Sequence, residues 1–386
     1  MKGRPSSPVC RGWRPLSRTG REMAGWAVLA AGCAALWFAP MPTPAVRPEG
    51  TTARARVTAV DDSSLAVHGL VEYGTQHLTV EVLSGPAKGG RFRAANELRA
   101  QLEFDKKFKV GETALVIVPE EVRAGETVLT VRDHWRLGWA GGLFAAFCAL
   151  LCVFGGWTGA KALFSFLFSC LVVWKGVVPL ALLGWSASAV AFAATCLLTA
   201  VILFLVAGLT RKGVSAFLGA SVGVGVGLAM AHLFSALMGI NGATLPFAQA
   251  LLYAGYETLD LADVFVGAVV LASSGAVMDL AIDIASGIEE VVRHNPRVPA
   301  RALFWSGIRI GRSVVGTMTT TLLLAYSGGY LTLLMMFAAE GVRPVDFLNS
   351  TLVSAELVKT LVGSFALVLV APFTAAAAAF FFRPRT

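Results

Sequence analysis

From Leu137 onward the sequence is a succession of apolar runs separated by short loops. In lipid, backbone polar groups must bond within their own segment, so a run of about 20 apolar residues crosses the hydrocarbon layer as a helix. The runs predict spans near 138–156, 162–182, 187–209, 214–239, 264–288, 310–327 and 357–382. Composition agrees, with 56% hydrophobic and only 15% charged residues, where a soluble chain carries about 25% charged. The net charge of +8 does not indicate nucleic acid, because the basic residues cluster in loops beside apolar runs and no basic stripe with interleaved aromatics occurs. The expected class is an α-helical polytopic membrane protein, with about 8 transmembrane helices once the N-terminal run is counted.

The N-terminal part divides into three. Residues 1–22 form a basic tail, and 23–39 form an apolar run read as an uncleaved signal anchor with a cytoplasmic N-terminus. Residues 40–136 then change character. Short alternating runs at 55–60, 77–83, 90–95, 113–118 and 127–132 are separated by breakers such as Ser84-Gly85-Pro86. A small all-β domain, barrel or sandwich, is predicted between the first and second spans, on the extracytoplasmic side. None of the six cysteines falls in 41–136, so no disulfide framework holds it. Residues 137–386 form the multi-span bundle.

Loop charges set the orientation. Lys161, Arg211, Lys212, Arg293, Arg297, Arg301, Arg309, Arg312, Arg383 and Arg385 fall on one side when both termini are cytoplasmic. The opposite loop, 240–263, is acidic through Glu257, Asp260 and Asp263. A bacterial plasma membrane is the expected location. After LLLAY comes Ser327-Gly328-Gly329, then an apolar run, 330–339, too short to span alone. It is read as a re-entrant or interfacial segment, or as the far part of a broken helix.

Polar residues inside the apolar runs are the functional candidates. Asp279 and Asp283 share one helix face at i, i+4, and insertion scales charge about 2.5–3.5 kcal/mol for one such group at a helix centre. Two carboxylates so placed must look into protein or water, and favour a shared proton. Arg312 opens GRSVVGTMTTTLLLAY, with Gly316, Thr317 and Thr320 following, and NSTLVSAELVKTLVGS carries Asn349 and Glu356 on one predicted stripe with Thr360 and Gly363. Asp279, Asp283, Arg312 and Glu356 are expected to meet inside the bundle. Gly219, Gly223 and Gly227 recur at every fourth position and form a helix-packing ridge, and Gly316 is a further packing candidate. The five histidines are scattered and no GxSxG or HExxH occurs, so no catalytic set, metal site or cofactor is expected.

Six runs together resemble one family: VEVLSGPAKGG (80–90), FKVGETALV (108–116), GAVMDLAIDIAS (275–286), RIGR (309–312), GTMTTTLLLAY (316–326) and LNSTLVSAELVKTLVGS (348–364). They look like the YibE/YibF-like membrane proteins, in a long form with an extracytoplasmic domain, over roughly 53–380. By this resemblance Asp279, Arg312, Gly316, Thr317 and Glu356 match polar positions of the family. Asp283 stands where a small polar residue is usual, Thr320 where Asn is common and Lys359 where Arg is common. The resemblance implies architecture and no activity.

The expectation is a transporter or permease component for a small solute or cation, proton-coupled through intramembrane carboxylates. The alternative is a non-transporting envelope scaffold that uses its β-domain. Expected partners are the bilayer and either a second copy or an envelope protein, without nucleic acid.

Overall fold

The computed structural model describes residues 31–39, 50–120 and 127–383. The basic tail, most of the signal-anchor run, the 40–49 linker and Arg385 lie outside the described residues. The chain divides into two compact units, Thr43–Phe154, and Met1–Pro42 with Gly155–Thr386.

The first unit is built on six strands: β1 (Thr51–Asp61), β2 (Leu65–His68), β3 (Val71–Val82), β4 (Arg91–Arg99), β5 (Thr113–Val118) and β6 (Val128–His134). The sheet order β1-β5-β6-β4-β3-β2 closes on itself because β1 also pairs with β3. Closure leaves a five-stranded barrel, with β2 an added strand on β3 and β4–β6 the one parallel pair among the described strands. Alternation drives this: Ala53, Ala55 and Val57 of β1, Val80 and Val82 of β3, and Val116 and Val118 of β5 all point inward. Many inward residues are alanines, which suits a barrel of narrow bore.

A polar plug closes one end. Gln76 is fully buried; its Nε2 donates to the Phe108 carbonyl at 3.0 Å and its Oε1 accepts from the Phe108 N–H at 3.0 Å. Asn96 donates to Gln76 Oε1 at 3.1 Å and to the Lys106 carbonyl. The 106–108 segment is thereby pinned over the barrel, with Phe108 buried under it. The β2–β3 hairpin escaped the alternation reading because both its faces are wet, with Val67 and Leu70 exposed.

In the second unit a helix over 31–38, α1, packs through Cys33 and Leu36 against Phe168 and Val172. α2 (Leu137–Leu171), whose residues up to Phe154 are counted in the first unit, continues through a π-helical turn, Val172–Val177, into α3 (Val178–Leu182). At Gly156 the backbone leaves the helix, with φ 52° and ψ −129°, a conformation that favours glycine. Lys175, in the π turn, donates to the Ala39 carbonyl at 3.2 Å just past α1, rather than standing free to reach toward headgroups as a lone lysine would.

The bundle proper comprises α4 (Ala187–Ala207), α5 (Arg211–Leu237), α7 (Leu261–His294), α8 (Ala300–Gly329) and α11 (Thr351–Phe382); the short α6 (Ala248–Tyr253), α9 (Leu331–Ala339) and α10 (Pro344–Asn349) join them. α7 is central: Val277, Leu280, Ala281, Ile284, Ala285 and Ile288 are all fully buried. α5 lies antiparallel to α11 along the predicted glycine ridge. A Cβ added at Gly219 would run into Thr374, one at Gly223 would lie 3.0 Å from Val370 and one at Gly227 3.0 Å from Ala366. Each step of four on one helix meets a step of four on the other, the close approach that small residues permit.

Among the described residues five helices are long and apolar enough to cross a membrane: Leu137–Leu182, Ala187–Leu205, Arg211–Leu237, Leu261–His294 and Thr351–Phe382. A sixth candidate is the pair Ala300–Gly329 and Leu331–Ala339, bent by 64°. The sequence splits 138–182 into two spans, and in the structure this run of 46 residues is broken at Gly156, where the first of them ends.

Candidate functional site

The helices fix which residues share a level. α7 and α11 run parallel: Lys359 lies over the Phe265 ring at 5.7 Å, Gly363 packs on Ser273, and Gly311 of α8 touches both Ile284 and Ala371. α8 runs antiparallel to both.

Toward the Asp263 end of α7 lies an ion pair within α11. Lys359 Nζ and Glu356 Oε1 are 2.6 Å apart, with side chains 20% and 22% exposed. Tyr326 of α8 lies within electrostatic reach of Glu356. Its hydroxyl and that of Thr360 are buried without a hydrogen-bond partner among the described residues. A Cβ at Gly363 would sit 3.6 Å from the Tyr326 hydroxyl and 3.3 Å from Ser273 Cβ, so three helices converge there. Burying an unpaired hydroxyl costs about 1–3 kcal/mol. An arrangement of one acid, one base and two uncommitted hydroxyls can hold a small polar or charged species.

A second cluster joins the starts of α4 and α7 to α5. Asp263 Oδ2 accepts from Ser186 Oγ at 2.9 Å and from the Ser188 N–H at 3.1 Å. His232 Nε2 lies 3.1 Å from Ser188 Oγ and 3.9 Å from Asp263 Oδ1. The same imidazole nitrogen faces both partners, so the carboxylate–Nδ1 contact of a hydrolytic triad is missing. Sequence reading counted Asp263 only as a loop acid and His232 only as scattered. Its signal was Ser186 as the cap of α4 opposite an acid in the first turn of α7.

The other predicted residues sit elsewhere. Asp279 and Asp283 occupy exposed positions on the side of α7 away from its core residues. Arg312 is also exposed and takes part in none of the ion pairs found among the described residues. Thr317 and Thr320 are exposed and spend their hydroxyls on the carbonyls of Val314 and Gly316. A Cβ at Gly316 would meet open space, so its packing partner is not in this chain's described residues.

Two sequence expectations are thus corrected. The four charged residues do not gather inside the bundle. Glu356 is paired with Lys359, and Phe265, which marks their level, precedes Asp279 by 14 residues of α7, about 21 Å of helix rise. Nor does Asn349 share a helical stripe with Glu356. Asn349 ends α10, and Ser350 is extended, with φ −63° and ψ 134°, before α11 begins.

Apolar helices of this length, in a chain that also carries a small β-barrel, define a multi-span helical membrane protein with a globular domain. Residues 143–384 match the family described as YibE/F-like protein, and the chain belongs to that family. No curated protein and no solved structure matches it.

Proposed function

We propose that the protein is a transporter or permease component that moves a small solute or cation across a bacterial plasma membrane. The observation that carries this reading is the Glu356–Lys359 pair beside the unpartnered Tyr326 and Thr360 hydroxyls, where α7, α8 and α11 converge. Ionisable groups within membrane helices are rare and mark substrate, ion and proton pathways. The 64° bend between α8 and α9 supports it, since broken helices free backbone groups near transport sites. In this reading Leu137–Leu182 crosses twice, turning at Gly156, because its 46 residues rise about 69 Å. With the run at 23–39 and the bent pair this gives eight crossings, both termini cytoplasmic and residues 40–136 outside.

The test is flux from proteoliposomes of the purified full chain, with and without a pH gradient. Wild type is expected to carry a cation or proton flux that Glu356→Gln abolishes while membrane insertion is kept. Equal flux from both would refute the assignment of the site. No flux from folded wild type across several cations would refute transport.

A second reading, an envelope scaffold, has its own support. Leu70, 96% exposed, and Val67, 69% exposed, present an apolar tip on the β2–β3 hairpin. Loss of a co-purifying envelope protein on Leu70→Glu, with flux absent throughout, would favour it.

A further inference from the structure

Three charged residues on the α7–α8 face have no hydrogen bond or ion pair among the described residues. Asp279, Asp283 and Arg312 are all exposed on apolar helices. Facing lipid, a charged group costs up to about 2.5–3.5 kcal/mol, the figure for a helix centre, and less toward the helix ends.

Their placement is specific. Gly287 of α7 meets Ile310 of α8, Ile284 meets Gly311, and Ile288 meets Gly307. Extending this antiparallel register by one step puts Asp283 level with Arg312. Arg312 follows Ile310 by two positions, about 200° around the helix. With Ile310 turned to α7, Arg312 is turned away from it. The guanidinium and the carboxylate therefore share a level but not a side.

A two-fold axis along the membrane normal keeps levels and exchanges sides. We propose that this face is the meeting surface of two copies of the chain, with Arg312 of each copy paired to Asp283 of the other. Gly275 and Gly316, each with open space where a Cβ would be, let the two backbones approach closely. Thr317 and Thr320, whose hydroxyls are already satisfied, add no unpaired polar group to the contact. The helical stretch 137–155 of the same chain is a poorer cover, because it contains no charged residue and would leave all three groups unneutralised. This inference does not rest on transport.

The test uses the full chain in nanodiscs, with copy number read by native mass spectrometry and dissociation followed by dilution. Wild type is expected as a dimer. Arg312→Asp and Asp283→Arg are each expected to weaken it about a hundredfold or more, and the double exchange to restore it. Thr320→Cys, in a background without native cysteines, is expected to cross-link between copies. A monomeric wild type, or single variants that dimerise as wild type does, would overturn the proposal. So would a double exchange that stays monomeric, or rapid labelling of Thr317→Cys by a membrane-impermeant thiol reagent, which would make the face water-lined. If either single variant misfolds, the double exchange still decides.

Discussion

Lys359 closes on Glu356 one turn back along α11, at 2.6 Å, and its ammonium also lies over the ring of Phe265 on α7. The pair is local in sequence yet fastens two helices. Removing one partner leaves the other charge uncompensated at membrane depth, a loss of about 3–5 kcal/mol in buried pairs. Glu356→Gln and Lys359→Met are each expected to lower the unfolding midpoint in detergent. The double variant is expected to recover most of that stability without recovering flux. Recovery of both by the double variant would make the pair purely structural.

Tyr326→Phe removes a hydroxyl that bonds nothing among the described residues. Because no bond is lost and a buried unpaired hydroxyl is removed, stability is expected to stay at the wild-type level or rise by up to about 1–3 kcal/mol. Flux is expected to fall, because that hydroxyl is one of the two left uncommitted beside Glu356. Unchanged flux at unchanged or raised stability would take Tyr326 out of the pathway.

The glycines of α5 and α8 separate under one substitution. A side chain at Gly219 collides with Thr374, its backbone included, so Gly219→Leu must push α5 away from α11. A loss of about 3 kcal/mol or more is expected. Gly316→Leu enters open space in the single chain and is expected to leave the unfolding of the monomer unchanged while blocking dimer formation. Thermal unfolding beside copy number checks both.

In the barrel, the hydrogen bond from Lys107 to Glu72, with Asp62 close by, holds the Lys107 ammonium above the ordinary lysine value. A pKa raised on folding stabilises fully below the unfolded value and is lost as pH rises through the folded one. The stability difference between wild type and Lys107→Met is therefore expected to be flat from pH 6 to 9. It should shrink only above about pH 10.4. A difference that changes near neutral pH would assign it to another group.

The membrane class and most strands were legible because each rests on a local period: apolar runs of span length, and alternation as in Thr79-Val80-Glu81-Val82. The glycine ridge was legible for the same reason, though its partner, α11, lies more than a hundred residues away. The candidate site was less so. Placing Asp279 and Arg312 inside assumed that costly groups must face their own bundle, and the sequence carries no sign of which face a second copy would cover. Glu356 was found by its charge, whereas Lys359 passed as a family variation although it stands at i+3. Tyr326 joins them only through the crossing of α8 with α11.

α11 packs along α5, α7 and α8. A ribosome releases α5 more than a hundred residues before α11 is complete, so the glycine ridge emerges with no helix to receive it. Until α11 arrives, that face of α5 has nothing to close on, so the order of synthesis sets a delay between making the ridge and burying it. Val370 and Thr374 are the residues that end the delay, because they are what Gly223 and Gly219 close on.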